Sequence, residues 1–123
     1  MIVDVHAHYF PQAYSELLLR IGGRSLPEAA RPLTARPRRR DDPANIQARL
    51  QQMDEAGVQM QVLSPAASPP YADAEADAVA AARFINDSYA RLAQQYPGRL
   101  AAFVSLPLPH IDAALREIGR AHV

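Results

Sequence analysis

Apolar residues along the chain follow two periods, one typical of strands and one typical of helices. Three short runs have the continuous or alternating apolar pattern of buried strands, and they lie at 1–10, 58–63 and 100–106. Elsewhere apolar residues recur every three or four positions, which predicts helices at 12–21, 43–56, 73–96 and from 111 onward. Strands that alternate with helices and are joined by short turns favour a parallel sheet with right-handed crossovers. The sequence therefore predicts an α/β fold.

The longest predicted helix, 73–96, carries one continuous apolar stripe. Its members are spaced alternately by four and three residues: Ala78, Ala82, Ile85, Tyr89, Leu92 and Tyr96. Such a stripe faces the core of a globular protein, so Tyr89 and Tyr96 are interpreted as packing residues without chemistry. The strand at 100–106 is apolar nearly throughout, which is typical of a parallel strand covered on both faces.

The first strand ends in two histidines separated by one residue. Side chains alternate between the faces of a strand, so Asp4, His6 and His8 are expected to share one face. Residues two apart lie about 6.6 Å apart at Cα, which lets two imidazoles hold one metal ion at about 2.0–2.1 Å. Asp4 is a candidate outer acceptor that fixes the tautomer of a histidine ring. Two histidines that only fill the core or do nothing are the alternative, and the residues alone leave both interpretations open.

The segment between the first and second predicted helices shows no apolar period. Residues 24–42 are rich in proline and arginine and belong to a long insertion, about 9–42, that leaves from the His-x-His end of the first strand. A loop of this length is usually functional or disordered, and its position favours a binding loop. The arginine cluster at 36–40 is followed directly by Asp41 and Asp42, so it is interpreted as a solvated loop and not as a phosphate-binding patch.

Composition and charge exclude several functions. The 123 residues fit one domain, and 13 basic side chains balance 13 acidic ones, so no overall field favours nucleic acid or an anionic membrane. The absence of cysteine excludes disulfides, thiolate metal sites and cysteine nucleophiles. Neither a membrane-spanning apolar run nor a basic segment before an apolar N-terminal stretch is present, so a cytoplasmic protein is expected. Glycine-rich nucleotide motifs and the Gly-x-Ser-x-Gly elbow are also absent.

Four segments spread along the chain have the character of known family motifs. The first is Asp-Val-His-Ala-His-Tyr-Phe-Pro, at residues 4–11. The others are Arg-Leu-Gln-Gln-Met-Asp-Glu-Ala-Gly-Val at 49–58, Ala-Arg-Phe-Ile-Asn-Asp at 82–87, and Tyr-Pro-Gly-Arg-Leu at 96–100 with Val-Ser-Leu-Pro-Leu at 104–108. In this order they resemble the amidohydrolase superfamily, in its aminocarboxymuconate-semialdehyde decarboxylase-like branch. The four together are far more specific than His-x-His alone.

The resemblance implies the first three units of a TIM-type (β/α)8 barrel, which 123 residues leave incomplete. It implies a divalent metal ion, usually zinc, at the C-terminal face of the strands, with His6 and His8 as its first ligands. Arg36 is the nearest match to an arginine that binds the substrate carboxylate in some members. Two histidines and an aspartate that complete the family's ligand set have no counterpart, because His110 and His122 do not match them in position. His110 is interpreted as a helix N-terminal residue and His122 as exposed.

The implied activity is non-oxidative decarboxylation or hydrolysis of a small carboxylated ring or enol substrate, in a branch where homodimers are common. Because a catalytic zinc needs about three protein ligands, the chain by itself is expected to be inactive. One alternative is a catalytically silent fragment or self-associating module that pairs its open sheet edges. Another is a polymerase-and-histidinol-phosphatase-like phosphoesterase, which also opens on His-x-His, although segment 53–58 argues against it.

Overall fold

Parallel strands form the centre of the fold. The computed structural model describes residues 1–22 and 43–121. Within these residues it contains three strands, β1 (Val3–Ala7), β2 (Met60–Leu63) and β3 (Leu100–Ala102), paired in parallel in the order β1-β2-β3. The predicted α/β architecture with a parallel sheet is confirmed.

Helices follow the strands along the chain. They are α1 (Gln12–Ile21), α2 (Pro43–Glu55), α3 (Glu75–Gln95) and α4 (Ile111–Ala121). Each agrees with a predicted helix to within about two residues, which is the usual uncertainty of helix ends. The predicted binding loop at 24–42, with Arg36, lies outside the described residues, as does His122. Across the part of the chain that is described, none of the helices combines the length and apolar character needed to span a membrane.

The end of α2 is a left-handed glycine cap. Gly57 has φ +69°, a conformation that L side chains rarely adopt, and the N–H of Val58 donates to the carbonyl of Met53 at 2.8 Å. This cap leads the chain directly to β2, and just before the strand the N–H of Gln59 donates to the carbonyl of Ile2. Because the cap uses Val58, β2 begins at Met60 and not at 58 as predicted.

The main core lies between the sheet and helices α1 and α3. It joins seven buried side chains, which are Ala7, Tyr14, Leu18, Leu63, Ala81, Ile85 and Tyr89. The stripe predicted on α3 is confirmed, since Ala78, Ala82, Ile85 and Tyr89 are all buried. Its last members, Leu92 and Tyr96, are partly buried against a second cluster formed by Ile46, Met53 and Leu100.

The third strand is shorter than the apolar run that predicted it. Its ladder follows β2, and the last backbone bond of that edge joins the N–H of Phe103 to the carbonyl of Leu63. Beyond this point β2 has ended, and Phe103 and Val104 are 54% and 43% exposed. The prediction of a strand over 100–106 with both faces covered is therefore wrong for its second half.

Helix α4 buries two alanines and a glutamate against the rest of the chain, and not its large apolar side chains. Its buried residues are Ala113, Ala114 and Glu117. The larger side chains Ile111 and Leu115 are each 63% exposed, on a strongly amphipathic helix. The apolar residues that predicted this helix therefore form a face that the described residues do not cover.

A buried polar cluster connects α3, α4 and the segment after β3. Asn86 Nδ2 donates to the carbonyl of Ser105 at 2.9 Å and to Glu117 Oε1 at 2.8 Å, while its Oδ1 accepts from the N–H of Ser105 at 2.8 Å. Glu117 is only 3% exposed and also accepts two hydrogen bonds from Arg120. In the described chain every buried side-chain nitrogen and oxygen has a hydrogen-bond partner. The cluster therefore stabilises the docking of α4 only while each of its members is present.

Glu117 is expected to make the fold less stable in acid. Burial by itself raises the pKa of this carboxyl, but hydrogen bonds from Arg120 and Asn86 and the charges of Arg120 and Arg83 outweigh it and hold the pKa below its usual value. A pKa lower in the folded state means that the contribution is complete above the unfolded-state value, about 4.3, and is lost as pH falls through that value toward the folded-state pKa. Urea unfolding from neutral pH to about pH 3 measures this dependence.

The matched variant for this measurement is Glu117→Gln, which keeps an oxygen for Asn86 but does not ionise. Its free energy of unfolding is expected to fall less on acidification than that of the unmodified protein. Equal acid dependence of the two proteins would show that Glu117 contributes no pH-dependent stability.

Candidate metal centre

The carboxyl ends of the three strands meet at one edge of the sheet. His8 follows β1, Ser64 follows β2 and Phe103 follows β3. Because the strands are parallel, these positions lie at the same edge, where α/β folds commonly bind ligands. This edge is the candidate functional site.

The two histidines of the first strand lie next to one another at this edge. Their ring centroids are 4.8 Å apart, and the ring planes make an angle of 75°. His6 is exposed and His8 is half-buried. His8 also stacks on Phe10, with 6.0 Å between centroids and an angle of 25°. Two neighbouring imidazoles with one open side are a suitable pair of ligands for a divalent metal ion.

The His8 ring is oriented by the neighbouring strand. Its Nδ1 lies 2.9 Å from the carbonyl oxygen of Ser64. Since a carbonyl can only accept, Nδ1 carries the proton, and in the neutral ring Nε2 therefore keeps its lone pair. This is the arrangement in which a second hydrogen bond fixes the tautomer of a metal-binding histidine. Ser64 thus contributes to the site through its backbone carbonyl.

A β-bulge interrupts the alternation expected along β1. Two residues of β1 lie between Asp4 and Ala7, whereas only one residue of β2 lies between their partners. The extra residue places Asp4 and the buried Ala7 on the same face, which the helices cover. The expectation that Asp4 shares one face with both histidines is therefore wrong. Its Oδ1 accepts from the backbone N–H of His6 at 3.0 Å, so Asp4 contacts the backbone of a candidate ligand and not an imidazole.

Arg49 of α2 reaches the same strand from behind. Its Nη2 donates to the carbonyl of His8 and its Nη1 to Gln61 Oε1, each at 2.8 Å. Gln61 Nε2 in turn donates to Asp4 Oδ2 at 2.9 Å. Burial lowers the pKa of the Arg49 guanidinium, whereas the electrostatic effects of Tyr9, Tyr89 and Asp4 raise it. The half-buried guanidinium of Arg49 is thus linked to the backbone of the segment that carries both histidines.

The loop that follows β2 is fixed by two further side chains. Tyr14 OH donates to the carbonyl of Ser68 at 2.7 Å, and His110 Nε2 lies 3.0 Å from the carbonyl of Ala72. Burial raises the pKa of Tyr14, so its hydroxyl remains a donor. His110 directly precedes α4, as predicted, and its carbonyl accepts from the N–H of Ala114. His110 therefore fixes the loop after β2, and within the described residues it forms no group of three possible metal ligands with the histidine pair.

The sequence located the histidine pair but not the residues that support it. Within residues 1–22 and 43–121, no group of three His, Cys, Asp or Glu side chains could hold a metal ion. In the sequence Arg49 is only the first residue of the family motif at 49–58, and Gln61 lies within the second predicted strand. A polar residue inside a parallel strand, where apolar runs are usual, was the signal that could have identified Gln61.

The described residues thus form parallel βα units with two imidazoles at the carboxyl edge of the sheet. A sequence model of the amidohydrolase family matches residues 3–122, which is nearly the whole chain. The chain therefore belongs to the amidohydrolase family. None of the curated proteins matches it.

Solved structures agree with this assignment. An amidohydrolase-family structure from Staphylococcus aureus is 25% identical, with a TM-score of 0.71, over 98% of this chain and 33% of that chain. A 2,6-dihydroxybenzoate decarboxylase in complex with 2,6-dihydroxybenzoate is 27% identical, with a TM-score of 0.66, over 97% of this chain and 35% of that chain. A dihydroxybenzoic acid decarboxylase from Polaromonas sp. JS666, with bound manganese and the inhibitor 2-nitroresorcinol, is 26% identical, with a TM-score of 0.68, over 97% and 34%.

In these neighbours the region that the chain matches is the start of a larger fold. The chain's parallel sheet with alternating helices corresponds to the first units of the (β/α) barrel of these neighbours. The chain spans 33–35% of the length of the three structures named above.

Proposed function

We propose that His6 and His8 are two ligands of a divalent metal ion in an enzyme for the non-oxidative decarboxylation of a small carboxylated ring or enol substrate. In this reaction the carboxylate leaves as CO2 and a proton takes its place on the carbon. Hydrolysis of a similar substrate is the second reaction compatible with the family. The likeness to two decarboxylases of dihydroxylated benzoates supports decarboxylation. The complete catalytic site needs ligands in addition to this pair, since about three protein ligands are usual.

The main support for the proposal is that the two imidazoles are already oriented for binding a metal ion. The His8 ring has its Nδ1 proton engaged by Ser64, so its Nε2 is available as a ligand. The His6 ring lies beside it on the open side of the strand. Core histidines without function would instead be expected to be buried, whereas His6 is exposed.

Zinc is the ion that we propose, because imidazole nitrogen is among its preferred ligands. Manganese is the alternative, since the Polaromonas decarboxylase binds it. When bound, either ion supplies Lewis-acid chemistry that polarises an oxygen of the substrate. His6 and His8 would hold the ion, and Phe10 forms an apolar wall beside His8.

Arg36 is proposed to bind the substrate carboxylate. A guanidinium matches a carboxylate with two parallel hydrogen bonds, which would fix the orientation of a carboxylated ring. We therefore expect Arg36→Met to weaken substrate binding and to leave the metal content of the protein unchanged.

Replacement of either histidine by alanine is expected to abolish tight metal binding in the protein as produced from its own gene. Loss of a direct ligand should reduce metal affinity by more than the ~10–100-fold typical of outer residues. Metal content by mass spectrometry identifies the ion, and competition with a chromophoric chelator measures affinity. Removal of the metal should abolish the decarboxylation activity, with 2,6-dihydroxybenzoate as the first acid to assay, and re-addition should restore it.

His110→Ala provides the matched control for the two histidine variants. It removes an imidazole that bonds the carbonyl of Ala72 in the loop after β2, so metal affinity should not change. Native protein that carries no metal, or whose metal affinity is the same in His6→Ala, His8→Ala and His110→Ala, would contradict the proposed function.

A self-associating module without catalysis is the second candidate. It is favoured by the apolar face of α4, on which Ile111, Leu115 and Ile118 are exposed. Concentration-dependent assembly that is indifferent to chelators, measured by analytical ultracentrifugation, would support it. A homodimer that retains metal-dependent activity would instead agree with the enzyme.

A further inference from the structure

We infer that Arg49, acting through Gln61 and Asp4, is a positioning residue for the two candidate metal ligands. The inference rests on the proposed function and extends it to residues that do not touch the metal. It concerns how the backbone of β1 is held so that both imidazoles reach the same point.

The contacts form one continuous chain of hydrogen bonds. It starts at the carbonyl of His8, which accepts from Arg49 Nη2 at 2.8 Å, and continues from Arg49 Nη1 to Gln61 Oε1 at 2.8 Å. It ends with Gln61 Nε2 on Asp4 Oδ2 at 2.9 Å and Asp4 Oδ1 on the N–H of His6 at 3.0 Å. The chain therefore joins the backbone of one candidate ligand to the backbone of the other.

Each side chain in this chain is suited to its place. The guanidinium donates in two directions from one rigid plane, which a lysine ammonium cannot reproduce. The glutamine amide both accepts and donates, so it connects a cation to a carboxylate. The carboxylate accepts at both oxygens, one from the amide and one from the backbone N–H of His6.

The β-bulge explains why the strand needs this support. The register of β1 against β2 shifts between Asp4 and Ala7, which is the interval that contains His6. Backbone groups in a bulge lose regular ladder partners, and bulges near active sites redirect side chains. Asp4 replaces a ladder partner for the N–H of His6, and Arg49 fixes the carbonyl of His8 on the other side of the bulge. The network therefore holds the two imidazoles in one relative position.

The test compares Arg49→Met with Arg99→Met in the protein as produced from its own gene. Methionine keeps the apolar bulk of the side chain but donates no hydrogen bonds. Arg99 is a matched control because it also joins α2 to the start of β2, through Asp54 and the carbonyl of Gln59, without contacting the histidine strand. The measurements are Zn²⁺ affinity by chelator competition, the visible absorption spectrum of Co²⁺-loaded protein, and the free energy of unfolding without metal.

Arg49→Met is expected to weaken Zn²⁺ binding by ~10–100-fold and to change the Co²⁺ spectrum, because outer residues that orient ligands typically have effects of this size. Arg99→Met should leave both unchanged. Arg49→Lys should recover only part of the affinity, since it can replace one of the two donors. If Arg49→Met does not fold, Gln61→Met breaks the same chain at its centre while Arg49 still donates to His8, and the same weakening is expected.

The outcomes separate this inference from the proposed function. Protein that binds Zn²⁺ through His6 with an affinity and a Co²⁺ spectrum indifferent to Arg49 and Gln61 overturns the inference alone. Equal weakening by Arg49→Met and Arg99→Met, in proportion to lost stability, also overturns it, because the role would then be structural. Protein that binds no Zn²⁺ through His6 overturns the proposed function and the inference with it.

Discussion

Replacement of Asn86 by aspartate is expected to lower the free energy of unfolding by about 3–5 kcal/mol. The two side chains have the same shape, so the change leaves no cavity. It removes the two donated hydrogen bonds of Nδ2, to the carbonyl of Ser105 and to Glu117, and places a second carboxylate beside the first. Each unsatisfied buried group costs about 1–3 kcal/mol, and the repulsion of the carboxylates adds to this.

Urea unfolding of the metal-free protein, followed by circular dichroism, measures this loss. Asp87→Asn is the matched control, because it exchanges the same two residue types, in the opposite direction, at the next position of α3. Asp87 pairs with Arg120 at the surface, and an exposed ion pair contributes at most about 1 kcal/mol. A loss of less than about 1 kcal/mol for Asn86→Asp would show that the cluster does not hold α4 against α3.

The sequence predicted the order of elements because apolar periodicity reports burial directly. The predicted stripe of α3 is buried at Ala78, Ala82, Ile85 and Tyr89, and the last two of these pack in the main core with Ala7 and Leu63 of the sheet. Periodicity could not distinguish a covered strand from an apolar segment that continues past its ladder. Phe103 and Val104 therefore read as strand, although the partner strand β2 ends at Leu63.

Buried polar side chains are the second feature that the sequence pattern could not predict. Asn86 and Glu117 occupy helix positions where sequence patterns suggest solvent, yet both are buried because each satisfies the other. Such pairs depend on how α3 and α4 are placed in space, and no local period encodes that placement. The apolar spacing of α4 predicts the helix correctly, but it does not predict which side of the helix is buried.

The candidate site shows the same division. The His-x-His spacing was sufficient to locate the pair, because both rings project from one strand at the carboxyl edge. The bulge in β1 was not predictable, since it depends on pairing with β2, and it moved Asp4 to the helix side. Arg49 and Gln61 could be recognised only once α2 and β2 were placed behind β1.

Leu63→Ala is expected to lower the free energy of unfolding by about 3–5 kcal/mol, the upper part of the range for buried leucines. Leu63 is 1% exposed and belongs to the main core cluster, where it packs with residues of α1 and α3. Its backbone is fixed on both sides, by pairing with Ala7 of β1 and Ala102 of β3, so the surroundings cannot collapse easily into the cavity.

Leu63→Met, which nearly conserves volume, is the control and should lose less than about 1.5 kcal/mol in the same urea measurement. The two variants separate the filling of the core from the apolar character of the site. Equal losses would mean that the shape of leucine matters more than its volume. A small loss in both would mean that the sheet, and with it the Ser64 carbonyl that orients His8, is held mainly by backbone pairing. Because β2 carries this core residue directly before Ser64, stability and the geometry of the histidine pair depend on the same strand.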